Sequence, residues 1–295
     1  MNYEELKTFI KLSEIKNFTK TAELLNMSQP TVSLHIKNLE REFQTQLFLR
    51  IRKQLTLTST GEILLARAKQ MTTLYDQAQQ HILAHHNTIQ GSIKIGATFT
   101  IGEYILPALL NDLKVQYPSL AFDITIANTE EIVNAVKLLQ VDVGLIEGTT
   151  NDKEIIIEPF MKDELVFISS LHHPLTKKQR LTIQDLQDQK WVLRENGSGT
   201  GNYLLHFLHT NGIRYESALK ISSSQGVKEA VIENLGLSLL SLHTIKRELA
   251  LNVLQQLCVQ VAPLTRTLSY VHAPTTQLSN NAQIFVKTLQ QKYTL

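Results

Sequence analysis

The chain has 295 residues, 43% apolar and 19% charged, with a formal net charge of +2. Those proportions fit a folded chain long enough for two or three domains, each with its own core, and exclude an intrinsically disordered one. The start, MNYEELKTFIK, lacks a basic stretch followed by an apolar run, and no segment approaches the roughly 20 apolar residues of a membrane span, so a cytoplasmic protein is expected.

Tyr3 to Ser13 reads as a helix with Leu6, Phe9, Ile10 and Ser13 on one side. Phe18 to Glu40, FTKTAELLNMSQPTVSLHIKNLE, reads as two short helices broken at Asn26-Met27. The second opens on Ser28, which can cap free backbone N–H groups, and on Pro30, placed where a first turn tolerates proline. From there Val32, Ile36 and Leu39 recur at i, i+4 and i+7 and must face a core. The opposite face carries Thr31, Ser33, Leu34, His35, Lys37 and Asn38, a mixed polar surface without an ion-pair ladder. Alone, such a helix is also what a solvated surface helix looks like. The preceding helix, with small Ala22 at a close crossing, makes helix–turn–helix the arrangement expected, and that arrangement reads DNA.

Residues 1 to 60 hold nine Lys or Arg and six Glu, a local +3 that leaves about −1 for the rest of the chain. One copy of so modest a basic footprint makes few phosphate contacts, so useful affinity implies two or more copies. After Glu40, the segment Arg50 to Thr58 has the alternation of a short hairpin, with Arg50, Arg52 and Lys53 near its tip. A basic tip beside a recognition helix suits phosphates or the neighbouring minor groove, although a basic hairpin alone is usually a solvated turn.

The succession TAELLNMSQPTVSLHIKNLE, LFLR, a basic tip and LTLTSTG resembles the N-terminal winged helix-turn-helix of LysR-type transcriptional regulators over about the first 60 residues. Position by position, the resemblance implies DNA contacts at Ser28, Gln29, Pro30, Thr31, Ser33, Leu34 and His35, with Arg50, Arg52 and Lys53 on the backbone or in the minor groove. Two positions depart from the family pattern. Leu34 stands where a basic residue is common and Gln44 where glycine is common.

Ser59 to about Thr88 is one long helix without proline, in which Leu64, Ala68, Met71, Tyr75, Ala78 and Ile82 follow a 4-3-4-3-4 spacing. That seam predicts pairing between subunits, with packing against its own chain as the alternative. At 1.5 Å per residue the rod is about 45 Å long. His81, His85 and His86 lie at helical spacing but lack a carboxylate cluster, so no metal site is expected.

After Gly91 the period changes. SIKIGA, AFDITIAN, VDVGLIEG, ELVFISS, WVLREN, ALKISS and LSLLS read as strands, alternating with helices TIGEYILPALLNDLKVQYP, TEEIVNAVKLLQ, TIQDLQD, NYLLHFLHTNG and SQGVKEAVIENLG. A mostly parallel α/β sheet is predicted, closed by LSYVHAP and NAQIFVKTLQQKY. The single cysteine, Cys258, excludes an intramolecular disulfide and reads as a small buried hydrophobe.

This region resembles the periplasmic-binding-protein-like effector domain of the same family. The resemblance implies a winged helix-turn-helix at 1–58, a linker and dimerisation helix at 59–88, and an effector domain at 89–295. The last comprises one subdomain of 91–162 with 267–295 and another of 163–266, with the ligand between them.

Four loops at strand ends or helix starts qualify for that ligand: Thr98, Thr100 and Gly102; Asn128 and Thr129; Ser198 and Thr200 in GSGTG; and Ser224 and Gln225. Each is individually an ordinary cap, but together they offer neutral donors to a small inorganic oxyanion or carboxylate. Glu147 joins them as a cleft residue, as a partner of Arg194 or as a plain surface acid. No nucleophile elbow, P-loop or HExxH occurs, so no catalytic residue, metal or cofactor is expected.

The sequence therefore reads as a homodimeric or homotetrameric DNA-binding regulator that answers to a small effector and acts on the transcription machinery. Two rivals are a solute-binding protein or small-substrate enzyme with an added helical domain, and a DNA-architectural protein whose C-terminal part only oligomerises.

Overall fold

The computed structural model describes residues 1–51, 54–84, 91–148, 152–274 and 278–293. They fall into two compact units, Met1–Thr88 with Leu138–Gln140, and Ile89–Lys137 with Val141–Leu295.

In the first unit, α1 (Tyr3–Ile15), α2 (Phe18–Leu24) and α3 (Gln29–Glu42) precede a hairpin, β1 (Phe48–Ile51) and β2 (Gln54–Leu57), and then α4 (Ser59–Ala84). α1 starts at a capping box in which the Asn2 side chain accepts from the Glu5 N–H and the Glu5 carboxylate accepts from the Asn2 N–H. Leu6, Phe9 and Leu12 of α1 meet Ile36 and Leu39 of α3, Leu47, Phe48, Leu55, and Leu64 and Ala68 of α4 in one core. The α2–α3 turn closes through Asn26, whose φ of 52° lies in the left-handed region that asparagine tolerates. Gln44 also adopts that geometry, at φ 51°, without asparagine's local compensation.

The LTSTG segment has a specific reason for its glycine. Thr58 accepts the Gly61 N–H to start α4, and a Cβ on Gly61 would lie 2.3 Å from the Leu47 carbonyl oxygen. The apolar seam of α4 then divides. Leu64 and Ala68 are buried in the unit's own core, whereas Met71, Tyr75, Ala78 and Ile82 are exposed. Tyr75 is partly claimed within the chain, its ring centroid 4.5 Å from that of Tyr3, whose hydroxyl donates to Asp76 at 2.6 Å. The expected single seam is thus corrected to two halves, because the first three turns of the helix complete the helical core. The side chain of His81 and residues 85–90, with His85 and His86, lie outside the described residues.

The second unit contains β3 (Gly91–Thr98), a π-helical turn Ile101–Ile105 leading into α5 (Leu106–Gln116), β4 (Leu120–Ala127), α6 (Thr129–Lys137), β5 (Val143–Glu147) and β6 (Ile156–Ser169). It continues through β7 (Gln189–Arg194), α7 (Gly199–Thr210), β8 (Tyr215–Ile221), α8 (Ser224–Ile232), β9 (Ser238–Ser241), α9 (Leu242–Ala250), β10 (Gln255–Leu257), β11 (Leu264–His272) and α10 (Asn280–Lys292). The main sheet runs β10-β6-β11-β5-β3-β4, with β9 also on β6.

The sheet is mixed where the sequence pattern predicts a mostly parallel one. β3 pairs in parallel with β4 and β5, and β7 with β8, but β6 and β11 are antiparallel. The reason is connectivity: the chain crosses the middle of the unit twice in opposite directions, on β6 and on β11. One core gathers around Ile93, Ile95, Phe160 and Phe285, another around Phe167, Trp191, Phe207 and Leu237. Where they change over, Arg266 on β11 stands opposite Asp163 on β6.

Two local expectations fail. TIQDLQD forms only a 3-10 turn, Ile183–Leu186, since Leu186 is its one buried apolar side chain and Gln187 is already extended. Cys258 is exposed, because Leu257 takes the inward position at the end of β10 and alternation turns its neighbour out. No helix among the described residues is long and apolar enough to cross a membrane.

Candidate functional site

Two polar sites are built on these units. On the first, Ser28 caps α3 by accepting from the Thr31 N–H at 3.2 Å, and its hydroxyl lies 2.7 Å from that of Thr31. Gln29 Nε2 donates to Ser33 Oγ one turn later at 2.8 Å. Ser28, Gln29, Pro30, Leu34 and Lys37 are exposed, Leu34 by 56%. Thr31 and Ser33 are half-buried beside them. His35 is tied inward, with Nδ1 2.8 Å from the hydroxyl of buried Thr8 on α1, and Asn38 donates to Glu5 at 2.8 Å. Those two residues fix the tilt of α3, and the outward face is left to Gln29, Thr31, Ser33, Leu34 and Lys37. Arg50 lies in β1 with a side chain outside the described set; Arg52 and Lys53 lie outside it altogether.

On the second unit, Glu147 ends β5 with only 3% of its surface exposed. One carboxylate oxygen accepts the Thr100 N–H at 3.0 Å. The other accepts the Thr200 hydroxyl at 2.9 Å and Arg266 Nη1 at 2.7 Å. Arg266 also donates through Nε to Asp163 at 2.8 Å and reaches the hydroxyls of Thr200 at 2.8 Å and Thr100 at 3.3 Å. Ser241 donates to the other Asp163 oxygen at 2.6 Å. Burial works to raise the Glu147 pKa, but the Arg266 charge, the Thr100 and Thr200 hydrogen bonds and the nearby Arg194 bring it below the ordinary carboxylate value.

Closure over Glu147 depends on glycine. A Cβ at Gly199 would lie 2.5 Å from the Glu147 carbonyl oxygen, so GSGTG lets the start of α7 settle directly on β5. Beside this focus, Arg194 lies 4.8 Å from the Phe99 ring centroid and pairs with Glu195 and Ser224. Buried Lys228 donates to the Tyr104 hydroxyl at 3.0 Å and to Glu248. Burial lowers the Lys228 pKa, yet the Glu248 and Tyr104 hydrogen bonds raise it overall. A cavity of about 540 Å³ between α6 and α7 is bordered by Glu147 and lined among others by Glu130, Asn134, Asp152, Tyr203 and His206.

Residues 3–62 match the family model "Bacterial regulatory helix-turn-helix protein, lysR family", and residues 86–294 match the "LysR substrate binding domain". The chain belongs to the LysR family. It is 52% identical over 293 residues to the HTH-type transcriptional regulator CysL of Bacillus subtilis (strain 168), covering 99% of this chain and 98% of that one. Among solved structures, the regulatory domain of Synechocystis PCC6803 CcmR in complex with 2-PG matches with a TM-score of 0.65 at 26% identity, covering 70% of this chain and 98% of that one. Full-length CbnR complexed with its target DNA matches with a TM-score of 0.74 at 17% identity, over 99% of each chain, which speaks for the fold. The protein is accordingly a DNA-binding transcriptional regulator with an effector-binding domain.

In this LysR-family chain the residues singled out from sequence have different fates. Thr100, Glu147 and Thr200 meet at one point, and Thr129 donates to the Glu147 carbonyl at 3.4 Å. Ser198 and Asn128 serve as caps, accepting the N–H groups of Gly201 and Glu131. Ser224 accepts from Arg194, while Gln225 is exposed and bonds Glu229 along its own helix. Gly102 sits under Ile126 as a packing position, and the buried Thr98 hydroxyl has no hydrogen-bond partner among the described residues.

The Glu147–Arg194 pairing considered from sequence is replaced by Glu147–Arg266, since Arg194 is held by Glu195 and Ser224. Sequence reasoning missed Arg266 and Asp163. Arg266 stands alone as a cation in β11, but Asp163 is one of four charged residues in β6, beside Glu158, Lys162 and Glu164, and only the β6–β11 register brings the two together. No group of three or more metal-ligating side chains occurs among the described residues.

Proposed function

We propose that this regulator binds promoter DNA as a homodimer, or a dimer of dimers, and that a small anion or organic acid at the Thr100–Thr200–Arg266 focus changes how it does so. The convergence of a backbone N–H, a hydroxyl and a guanidinium on one buried point, in a chain that also carries a DNA-reading helix, supports this reading. The CcmR domain is described with 2-PG, so a related fold holds a small ligand. The exposed Met71, Ala78 and Ile82 on α4 favour a partner helix.

On this reading the domain limits are 1–58, 59–88 and 89–295, and the protein works in the cytoplasm. Gln29, Thr31, Ser33 and Leu34 contact bases, and Ser28 and Pro30 set the start of α3. Arg50, Arg52 and Lys53 contact phosphates. The effector lies between subdomains 91–162 with 267–295, and 163–266. Its binding changes their packing and thereby the spacing of the DNA-reading heads.

A thermal-shift screen of small oxyanions and carboxylates against wild type and Thr200→Val tests the site. At least one compound is expected to stabilise wild type more than the variant, and equal shifts for every compound would remove the site from the account.

A further inference from the structure

The three donors at the end of β5 have the character of an oxyanion site, and all three are already satisfied by the chain itself. Thr100 supplies a backbone N–H, Thr200 a hydroxyl from the first turn of α7, and Arg266 a guanidinium from β11; Glu147 accepts from each, at 3.0, 2.9 and 2.7 Å. A carboxylate therefore sits where the small-anion reading places the effector.

Charge makes sharing unfavourable. Among the described residues Arg266 is the one cation hydrogen-bonded to Glu147, and it serves Asp163 as well, so a second anion beside ionised Glu147 meets like charge in a buried setting. Space makes exchange feasible. Glu147 borders the 540 Å³ cavity between α6 and α7, and the next residue, Gly148, has φ +79° with nothing within 4 Å of where a Cβ would stand. Glu130 on the cavity wall repels the displaced carboxylate and favours its return when the site is free, whereas Asp152 is held by Lys137 at 2.9 Å.

We propose that Glu147 is a tethered occupant of the anion subsite, which the effector displaces into the neighbouring cavity. The inference rests on the small-anion reading above. Glu147 then sets the threshold of response, because an effector binds only the fraction of molecules whose carboxylate has moved out. It also sets selectivity: a ligand succeeds by accepting from Thr100, Thr200 and Arg266 together better than one carboxylate does.

The test is calorimetric titration of sulfate and of phosphate into the full-length protein at constant ionic strength, for wild type, Glu147→Ala and Glu147→Gln. The double variant Glu147→Ala/Thr200→Val completes the set. Both single variants are expected to bind one of these anions roughly tenfold or more tightly than wild type, with the gain lost in the double variant. The glutamine variant keeps the side-chain shape and guards against a result produced by misfolding of the alanine one. Equal or weaker binding by both single variants overturns the displacement and leaves the anion site standing. If neither anion binds wild type or either single variant, the displacement and the small-anion reading both fall.

Discussion

The two polar regions of this molecule use similar residues in opposite ways. Among the described residues, the hydroxyls and amides of Ser28, Gln29, Thr31 and Ser33 on α3 bond only to neighbours on their own helix, at the surface. At the end of β5 comparable groups, Thr100 and Thr200, are buried and committed to Glu147 and Arg266, which come from distant parts of the chain. The first is a face kept available for a large partner. The second is a closed network in which each polar group is satisfied before any ligand arrives, so a ligand must exchange with it.

Substitutions should separate the two regimes. The largest effect is expected from Arg266→Met, which leaves Glu147 and Asp163 buried without their shared cation. Loss of about 3–5 kcal/mol from the second unit is predicted, read in chemical denaturation. A change below about 1 kcal/mol would show that the network is not closed. Acid probes the same network. The Glu147 pKa is lower in the folded state, so its ionised form adds stability that is complete above the ordinary carboxylate value and is lost as pH falls through the depressed one. Wild type is therefore expected to lose stability below the ordinary carboxylate range more steeply than Glu147→Gln.

In the first unit, Gly61→Ala drives a methyl into the Leu47 carbonyl, at an expected cost of about 1–3 kcal/mol. Ser28→Ala removes the α3 cap and is expected to cost about 1 kcal/mol. Gln44→Gly relieves a left-handed residue and is expected to gain up to about 1 kcal/mol, seen as a raised melting temperature. Smallest for stability is Leu34→Lys on the open face, within about 0.5 kcal/mol of wild type. It is expected to steepen the salt dependence of DNA binding by about one counterion per subunit. An unchanged slope would place Leu34 away from the phosphates.

How much of this was legible in the sequence follows the range of the interactions. Short-range signals carried the head: the Ser28 cap, the Val32–Ile36–Leu39 stripe and the LTSTG start of α4 each act within a few residues. Even there, the inward bond of His35 to Thr8 spans two helices and escaped a reading based on helix faces. In the second unit Thr100, Thr200 and Glu147 were found because strand ends and helix starts mark where donors gather. Arg266 was not, since its role depends on a register between strands about a hundred positions apart. The divided seam of α4 has the same origin: spacing reveals an apolar stripe, and only the packed helices decide which turns the chain covers itself.

On the proposed function, occupancy of the Thr100–Thr200–Arg266 focus controls DNA binding. This is tested most directly by measuring the affinity for the DNA upstream of the protein's own gene by fluorescence anisotropy, for wild type and Thr200→Val, across a panel of sulfate, phosphate and small carboxylates at fixed ionic strength. At least one anion is expected to change the affinity of wild type, relative to its own additive-free value, while leaving that of Thr200→Val unaltered. An equal response of both proteins to every anion would contradict it.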